Sequence, residues 1–109
     1  MKRFVALYLG SPKNMERPDE KTIAAGMKAW GQWMEEHKDS VVVTGGPLGK
    51  TKRINPDGVS DTKNNVVGYI VVEAETHQAA AELFLGHQHF SVFPGARVEI
   101  MECLPVPGA

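Results

Sequence analysis

Two stretches of this chain carry apolar side chains at almost every position, residues 2–9 and residues 65–74. Because successive side chains of a strand point to opposite faces of a sheet, both stretches would be apolar on both faces as strands. Strands of this kind are typical of the centre of a sheet that is covered on both sides. The pattern therefore predicts two central strands.

A helical period follows the first strand. Asp19 is suited to cap a helix N-terminus, and Pro18 precedes it. Apolar positions then recur at spacings of three and four, which places them on one stripe of an amphipathic helix. Trp33 lies at the edge of that stripe, where it either joins the same core or reaches a partner or a pocket rim. The stripe consists of Ile23, Met27, Trp30, Met34 and His37.

A second helical pattern begins near Thr76, which is a suitable N-cap residue. Gly86 loosens the end of this helix, and its sequence neighbours lead into a loop that contains Pro94. The inward-facing positions of the second helix are Ala80, Leu83, Phe84 and His87.

Three further segments complete the chain. Residues 41–44 are β-branched and predict a short strand, and residues 96–103 predict a last strand. Turn-forming residues at 55–58 predict a polar hairpin between two short extended segments. The glycine-rich stretch 45–49 follows a strand, but no helix comes after it. It therefore favours a β-bulge or a close approach of backbones over a phosphate-binding loop.

The order of elements is strand, helix, strand with hairpin, strand, helix, strand. It corresponds to two split βαβ units, which is the ferredoxin-like βαββαβ arrangement of an α+β protein. Right-handed crossovers would place both helices on one face of a four-stranded antiparallel sheet. We expect one domain over residues 1–105 and a C-terminal tail, rich in proline and glycine, over residues 106–109.

The second face of such a sheet needs a cover. The helices cover one face, yet the two long strands are apolar on both, and monomers rarely leave an apolar patch of several hundred Å² in water. Covering about 500 Å² per subunit would contribute on the order of 12 kcal/mol before the costs of association. Sheet-on-sheet pairing about a two-fold axis is the simplest solution, so the sequence predicts a homodimer, with a pocket where polar residues interrupt the contact.

Charge and composition narrow the class of protein. Lys and Arg number 12 against 13 Asp and Glu, for a formal net charge of -1, and no basic stripe indicates a nucleic-acid partner. No segment approaches the roughly 20 apolar residues of a membrane helix. The single cysteine, Cys103, excludes an internal disulfide, and we expect a cytoplasmic protein without a membrane partner.

The most concentrated chemical signal is the pair of histidines His87 and His89, separated by one glutamine. An imidazole titrates near neutral pH, so either histidine could act as a general acid or base or bind a substrate. Metal ligation is a second interpretation, which needs a third ligand such as Glu99 or Asp61. A histidine that closes a helix end, with a surface neighbour, is the structural alternative.

Other residues could assist such a histidine. Arg97 and Glu99 are predicted to project toward the non-helical face, where charges are costly unless they pair or face a pocket. Tyr8 could contribute a phenol, and Asp61 could orient a histidine as its carboxylate partner. The candidate catalytic residues are thus His87 and His89, and the candidate substrate-binding residues are Arg97, Glu99, Tyr8, Asp61 and Trp33. For each of the latter, a structural role is the alternative.

Several motifs, taken in order, resemble one known family. They are VTGGPLG at 43–49, a polar hairpin that contains Asp57-Gly58 and Asp61, GYIVVEA at 68–74, GHQHF at 86–90 and RVEIMECLP at 97–105. Together they resemble the YCII-related (YciI-like) family, in particular the branch related to DGPF-domain proteins. The resemblance covers nearly the whole chain and implies a dimeric α+β barrel.

The resemblance also implies an active site. In YciI-like proteins a histidine and an aspartate are proposed as a catalytic pair, with the aspartate in an Asp-Pro element after the second helix. Here His87-Gln88-His89 stands at that place, Trp30 or Trp33 lies in the region of the family's early histidine, and Asp61-Thr62-Lys63 replaces the DGPF motif. The aspartate is therefore not carried over, and His87 and His89 are its only substitutes.

Two functions follow as expectations. The first is a small-metabolite enzyme that uses histidine-based acid/base chemistry in a pocket near the dimer interface, with Arg97 binding an anionic group. The second is a non-catalytic dimer that binds a small ligand or regulates. The residues leave open whether the protein is an enzyme, whether His87 and His89 bind a metal, and which cofactor, if any, it uses.

Overall fold

The computed structural model describes residues 1–10, 20–87 and 96–107. Within these ranges the chain forms six strands and two helices in the predicted order. They are β1 (Lys2–Leu9), α1 (Glu20–Glu36), β2 (Val41–Pro47), β3 (Thr51–Asn55), β4 (Gly58–Thr62), β5 (Val66–Ala74), α2 (His77–Glu82) and β6 (Arg97–Glu102). Neither helix combines the length and apolarity that a bilayer crossing requires, among the residues described.

Four strands form one antiparallel sheet in the order β2-β5-β1-β6, and β3 pairs only with β4 in a separate hairpin. The two strands that are apolar on both faces, β1 and β5, are the central ones, as their pattern predicts. In their register Phe4 lies opposite Val72, and Ala6 lies opposite Ile70. A four-stranded antiparallel sheet with two helices is the α+β architecture expected of a ferredoxin-like chain.

Both helices cover the same face of the sheet. Alternate residues of β1 and β5 point into this core, and Phe4, Ala6, Ile70 and Val72 are fully buried. Trp33 from α1, together with Ala80 and Phe84 from α2 and the turn after it, completes the buried cluster. The inward-facing apolar residues of the sheet thus pack against one apolar stripe from each helix.

The opposite face of the sheet, here called the open face, is apolar at its centre. In register Leu7 lies between Tyr69 on β5 and Glu99 on β6, and Val5 lies between Val71 and Met101. Among the described residues no helix covers these side chains, and Met101 is 46% exposed. The prediction of strands apolar on both faces is confirmed. The apolar residues of the open face are Val5, Leu7, Val43, Tyr69, Val71 and Met101.

The buried stripe of α1 agrees in part with the predicted one, since Trp30 and Met34 pack against the core. Trp33 is the most buried residue of the helix, whereas Met27, predicted to face inward, is 60% exposed. At about 100° per residue, Met27 lies roughly 120° around the helix from Trp33, so a helix that buries Trp33 turns Met27 outward. The predicted cap Asp19 lies outside the described residues.

The N-terminus of α2 is formed as predicted. Thr76 has an extended backbone, and its side chain accepts a hydrogen bond from the Ala79 N–H at 3.0 Å. The helix ends at Glu82, earlier than expected, and a series of turns carries the chain to Gly86. Those turns place Phe84 in the core without further helix.

Glycines in β2 make the close approach that the sequence predicts. The register of β2 against β5 shifts between Val43 and Gly46, and Gly45 has a φ of 61°. A Cβ on Gly45 would collide with the carbonyl group of Tyr69. The bulge extends β2 through Pro47, beyond the strand expected from its β-branched residues.

Candidate functional site

Tyr8 lies at the C-terminal end of β1, on the helix side of the sheet, and is 1% exposed. Its partner in β5 is Gly68. An added Cβ on Gly68 would lie 3.6 Å from the Tyr8 ring and 3.2 Å from the carbonyl oxygen of Gly46. The absence of a side chain at Gly68 thus avoids a tight contact with the Gly46 backbone in β2, whereas the distance to the Tyr8 ring is that of ordinary van der Waals contact.

His87 reaches the same place from the other direction. The turns after α2 end at Gly86, whose φ of 72° is favourable only for glycine, and the His87 N–H donates to the Phe84 carbonyl at 3.1 Å. The imidazole is 3% exposed, and its Nε2 lies 3.2 Å from the Tyr8 hydroxyl. Strand β1 and the end of α2 thus bring a phenol and an imidazole into hydrogen-bonding contact.

Aromatic rings surround this pair. The Trp33 ring centroid lies 5.0 Å from that of His87, the Trp30 centroid lies 5.7 Å from it, and the Phe84 centroid lies 5.9 Å from it. Trp30 also lies 4.7 Å from Tyr8 between centroids. Trp33 Nε1 donates to the carbonyl of Leu83 at 3.2 Å, which ties α1 to the end of α2. The aromatic cluster is thus built from both helices and β1.

The apolar surroundings fix the protonation of Tyr8. Burial raises the pKa of the Tyr8 phenol well above its ordinary value, because the phenolate would lose its hydration. The phenol keeps its proton across the physiological range and can donate it in a hydrogen bond to an unprotonated Nε2 of His87. The protonated phenol can therefore hold the imidazole ring of His87 in place.

A change with alkaline pH follows from this burial. The unfolded chain ionises Tyr8 above about pH 10, whereas the folded chain keeps the phenol protonated. The unfolded state then binds fewer protons, so the free energy of unfolding should fall as pH rises above that value. Denaturant titrations give the free energy of unfolding at pH 8 and at about pH 11. The decrease between the two pH values should be smaller for Tyr8→Phe than for wild type. Equal losses in the two proteins would contradict the assignment.

The structure brings together three of the residues expected from the sequence, His87, Tyr8 and Trp33. His89 lies outside the described residues. Arg97 and Glu99 form an ion pair with each other, Arg97 Nε to Glu99 Oε2 at 2.8 Å. They share the open face with Leu7, on the far side of the sheet from His87, so the described structure does not join them to the cluster.

Asp61 lies in the separate hairpin. Its carboxylate is 2.6 Å from Lys52 Nζ, and its side chain is 87% exposed. A carboxylate held there by a lysine does not contact His87 in the described structure. Residues 1–10, 20–87 and 96–107 also contain no group of three histidine, cysteine, aspartate or glutamate side chains close enough to hold a metal ion.

Trp30 and Phe84 lie on the inward stripes that the sequence predicts, but no local pattern connects them with the histidine. Gly68 is predicted only as a strand residue. A glycine inside an otherwise apolar strand is a signal of close packing, and here an added Cβ would lie 3.2 Å from the Gly46 carbonyl oxygen of β2. The contact between residues 8 and 87 had no local signal, because the two are far apart along the chain.

The fold and the cluster define a small α+β protein with a buried histidine–tyrosine pair. No protein-family model matches the chain, and no curated protein sequence matches it. Among solved structures it is similar to 5-chloro-2-hydroxyhydroquinone dehydrochlorinase (TftG) from Burkholderia phenoliruptrix AC1100, in complex with 2,5-dihydroxybenzoquinone. The two are 17% identical, with a TM-score of 0.50, over 89% of this chain and 90% of that chain. A likeness at this identity supports the fold, and membership of the YCII-related family stays a prediction.

Proposed function

We propose that this protein is a small-molecule enzyme in which His87 exchanges a proton with a polar, ring-bearing substrate. The observation that carries the proposal is the hydrogen bond between His87 Nε2 and the Tyr8 hydroxyl, at 3.2 Å within an aromatic cluster. Imidazole is the side chain most often used for general acid/base catalysis. His89 stays a second candidate for the same role.

The surroundings of His87 favour a planar substrate. The rings of Tyr8, Trp30, Trp33 and Phe84 contact it. Aromatic faces attract other rings by stacking, and Tyr8 supplies a hydroxyl for a polar substituent. The similar structure is named as an enzyme of a hydroxylated aromatic compound and holds a quinone, which is the same class of molecule.

The enzyme is proposed to be a homodimer paired through the open face. The central strands leave half-exposed apolar residues on that face, and a second copy would cover them. The His87 cluster lies on the helix side, so the sheet separates this cluster from the open face within one subunit. A pocket next to the dimer interface therefore stays a prediction, as do Arg97 and Glu99 as substrate-binding residues at that interface.

Leu7→Lys tests the pairing. A charge at the centre of the open face should abolish the dimer, because an unpaired ammonium group would be buried in the contact. A lysine on the half-exposed face of a single subunit still reaches water, so the monomer should keep its fold. Sedimentation at increasing concentration should show a wild-type dimer and a monomeric Leu7→Lys. Leu85→Lys, at a position that is 78% exposed, is the control. A wild-type monomer would contradict the pairing.

The function is tested with 2,5-dihydroxybenzoquinone and a panel of hydroxylated aromatic compounds. A ligand that binds the folded protein raises its melting temperature by mass action. We expect this rise in wild type, its loss in His87→Gln and a smaller rise in Tyr8→Phe. His77→Gln, which removes an exposed histidine outside the cluster, should behave as wild type.

Product analysis then separates the two functions that the sequence leaves open. Turnover that falls by about 100-fold or more in His87→Gln would support an acid/base role. Binding without turnover would favour the non-catalytic ligand-binding or regulatory dimer. Binding and turnover that are unchanged in both His87→Gln and His89→Gln would contradict the proposal.

A further inference from the structure

The hairpin of β3 and β4, with its flanking residues 50–63 and here called the arm, stands apart from the rest of the fold. Its two strands pair with each other in a separate two-stranded sheet and not with the four-stranded sheet. A two-stranded hairpin alone in water is at best marginally stable. A hairpin that stands apart in this way gains stability when another surface covers it.

The arm carries apolar side chains at its tip. Ile54 and Val59 lie directly opposite each other across the hairpin. They share one face of it, and they are 78% and 65% exposed. On the same face, two register pairs closer to the base, Lys52 bonds to Asp61 at 2.6 Å. The face thus has an apolar tip and a polar base, which is the composition of a contact with a polar rim.

The turn holds the exposed tip of the arm in one defined conformation. Asn55 Oδ1 accepts the N–H of Asp57 at 3.0 Å, and Gly58 takes a φ of 126°. These are features of a tight hairpin connection. A turn of this kind fixes the register and therefore holds Ile54 and Val59 side by side.

The arm extends away from the core of its own subunit. The molecule is 18 Å thick along its shortest axis, which fits one sheet and one helix layer. A hairpin folded over the open face would add about 10 Å, the spacing of packed sheets. The radius of gyration is 15.5 Å, above the value of about 13 Å for a compact domain of this length.

The distribution of charge along the chain indicates which molecule covers the arm. Within the arm, Lys50, Arg53 and Lys63 have no carboxylate partner among the described residues, whereas the chain as a whole has a net charge of -1. The remainder of the chain therefore carries an excess of acidic residues. A second copy of this chain offers both the apolar surface and the carboxylates that complement the arm.

The base of the arm is continuous with the proposed dimer. The arm leaves β2 after Pro47 and returns to β5, the neighbouring strand of the sheet. Both strands contribute residues to the open face. A copy of the chain that pairs through the open face thus lies within reach of the arm.

We propose that the arm is a self-association element that docks onto a second copy of this chain. Ile54 and Val59 pack against apolar surface of that copy, and the cations of the arm face its carboxylates. The proposal builds on the paired sheets proposed above, but it assigns a separate contact with its own residues.

The test uses the full chain with Ile54→Ser and Val59→Ser together. Burial of two aliphatic side chains per arm predicts a dissociation constant that is raised about tenfold or more. The matched control is Ile54→Val with Val59→Ile, which keeps the apolar volume and should leave the dissociation constant unchanged. Sedimentation over a concentration series gives the constants, and far-UV circular dichroism confirms that each variant is folded.

Hydrogen exchange supplies a second measurement that does not depend on a variant. The amides of residues 51–62 should exchange more slowly above the dissociation constant than below it, because docking stabilises the hairpin. The serine variant should lose that dependence on concentration. Leu7→Lys run in parallel separates the two contacts, since it removes the sheet pairing and leaves the arm residues intact.

The outcomes distinguish the arm from the sheet pairing and from the proposed enzyme. A dimer lost in Leu7→Lys but unchanged in the serine variant would overturn the role of the arm and keep the paired sheets. A wild-type chain that stays monomeric would overturn the self-association of the arm and leave its tip for another partner. Neither result bears on His87, whose test is ligand binding and turnover.

Discussion

Trp33→Ala is expected to lower the free energy of unfolding by about 3–5 kcal/mol, the range for large aromatic truncations in a core. Trp33 is 7% exposed, and its ring stacks on Phe84 at 5.0 Å and on His37 at 4.4 Å between centroids. The indole also donates a hydrogen bond to Leu83. Its removal leaves a cavity between the two helices and an unpaired carbonyl.

Denaturant unfolding followed by circular dichroism would measure this loss. Trp33→Phe should recover part of the stability, because it retains a ring but not the N–H. Trp30→Ala is the comparison. Because Trp30 is only partly buried, this substitution should lower the free energy of unfolding by less. A loss below about 1 kcal/mol for Trp33→Ala would show that the helices do not depend on this ring.

Trp33→Ala should also affect the candidate site. Trp33 lies 5.0 Å from His87 between ring centroids, so its loss frees one side of the imidazole. Ligand binding in Trp33→Ala should weaken even at temperatures where the variant stays folded. Trp33→Phe separates the two effects, because a retained ring can keep His87 in place when some stability is lost.

Gly45→Ala is expected to cost about 3 kcal/mol or more, for two reasons that add. The φ of 61° is a left-handed conformation that alanine adopts at a cost of roughly 1–2 kcal/mol. In addition, the new Cβ would collide with the backbone carbonyl of Tyr69. Because that atom belongs to a central strand, the clash cannot be relieved by a side-chain rotation.

Two neighbouring glycines provide matched controls for Gly45. Neither Gly46 nor Gly49 has any atom within 4 Å of an added Cβ, and neither has a positive φ. Their alanine variants should stay within about 0.5 kcal/mol of wild type. If Gly45→Ala unfolded at the same denaturant concentration as these controls, the close approach of β2 and β5 would be contradicted.

Local patterns in the sequence determined most of the fold. The two strands with apolar residues on both faces gave the centre of the sheet, and the threonine cap and the Asn-Pro-Asp-Gly turn gave the start of α2 and the hairpin. Each of these features depends on a few neighbouring residues, so a single sequence displays it directly. The stripe of α1 was predicted only in part, because rotation of a helix about its axis changes which residues at the edge of the stripe are buried.

The tertiary structure decided which chemical groups meet. Tyr8 and His87 come into contact only because β1 and the turns after α2 converge on one side of the sheet. By contrast, strand alternation already predicts the non-helical face for Arg97 and Glu99, and the turn residues predict the hairpin that contains Asp61. Contacts between residues distant in sequence follow from the sum of many packing interactions, and no local period or spacing encodes them.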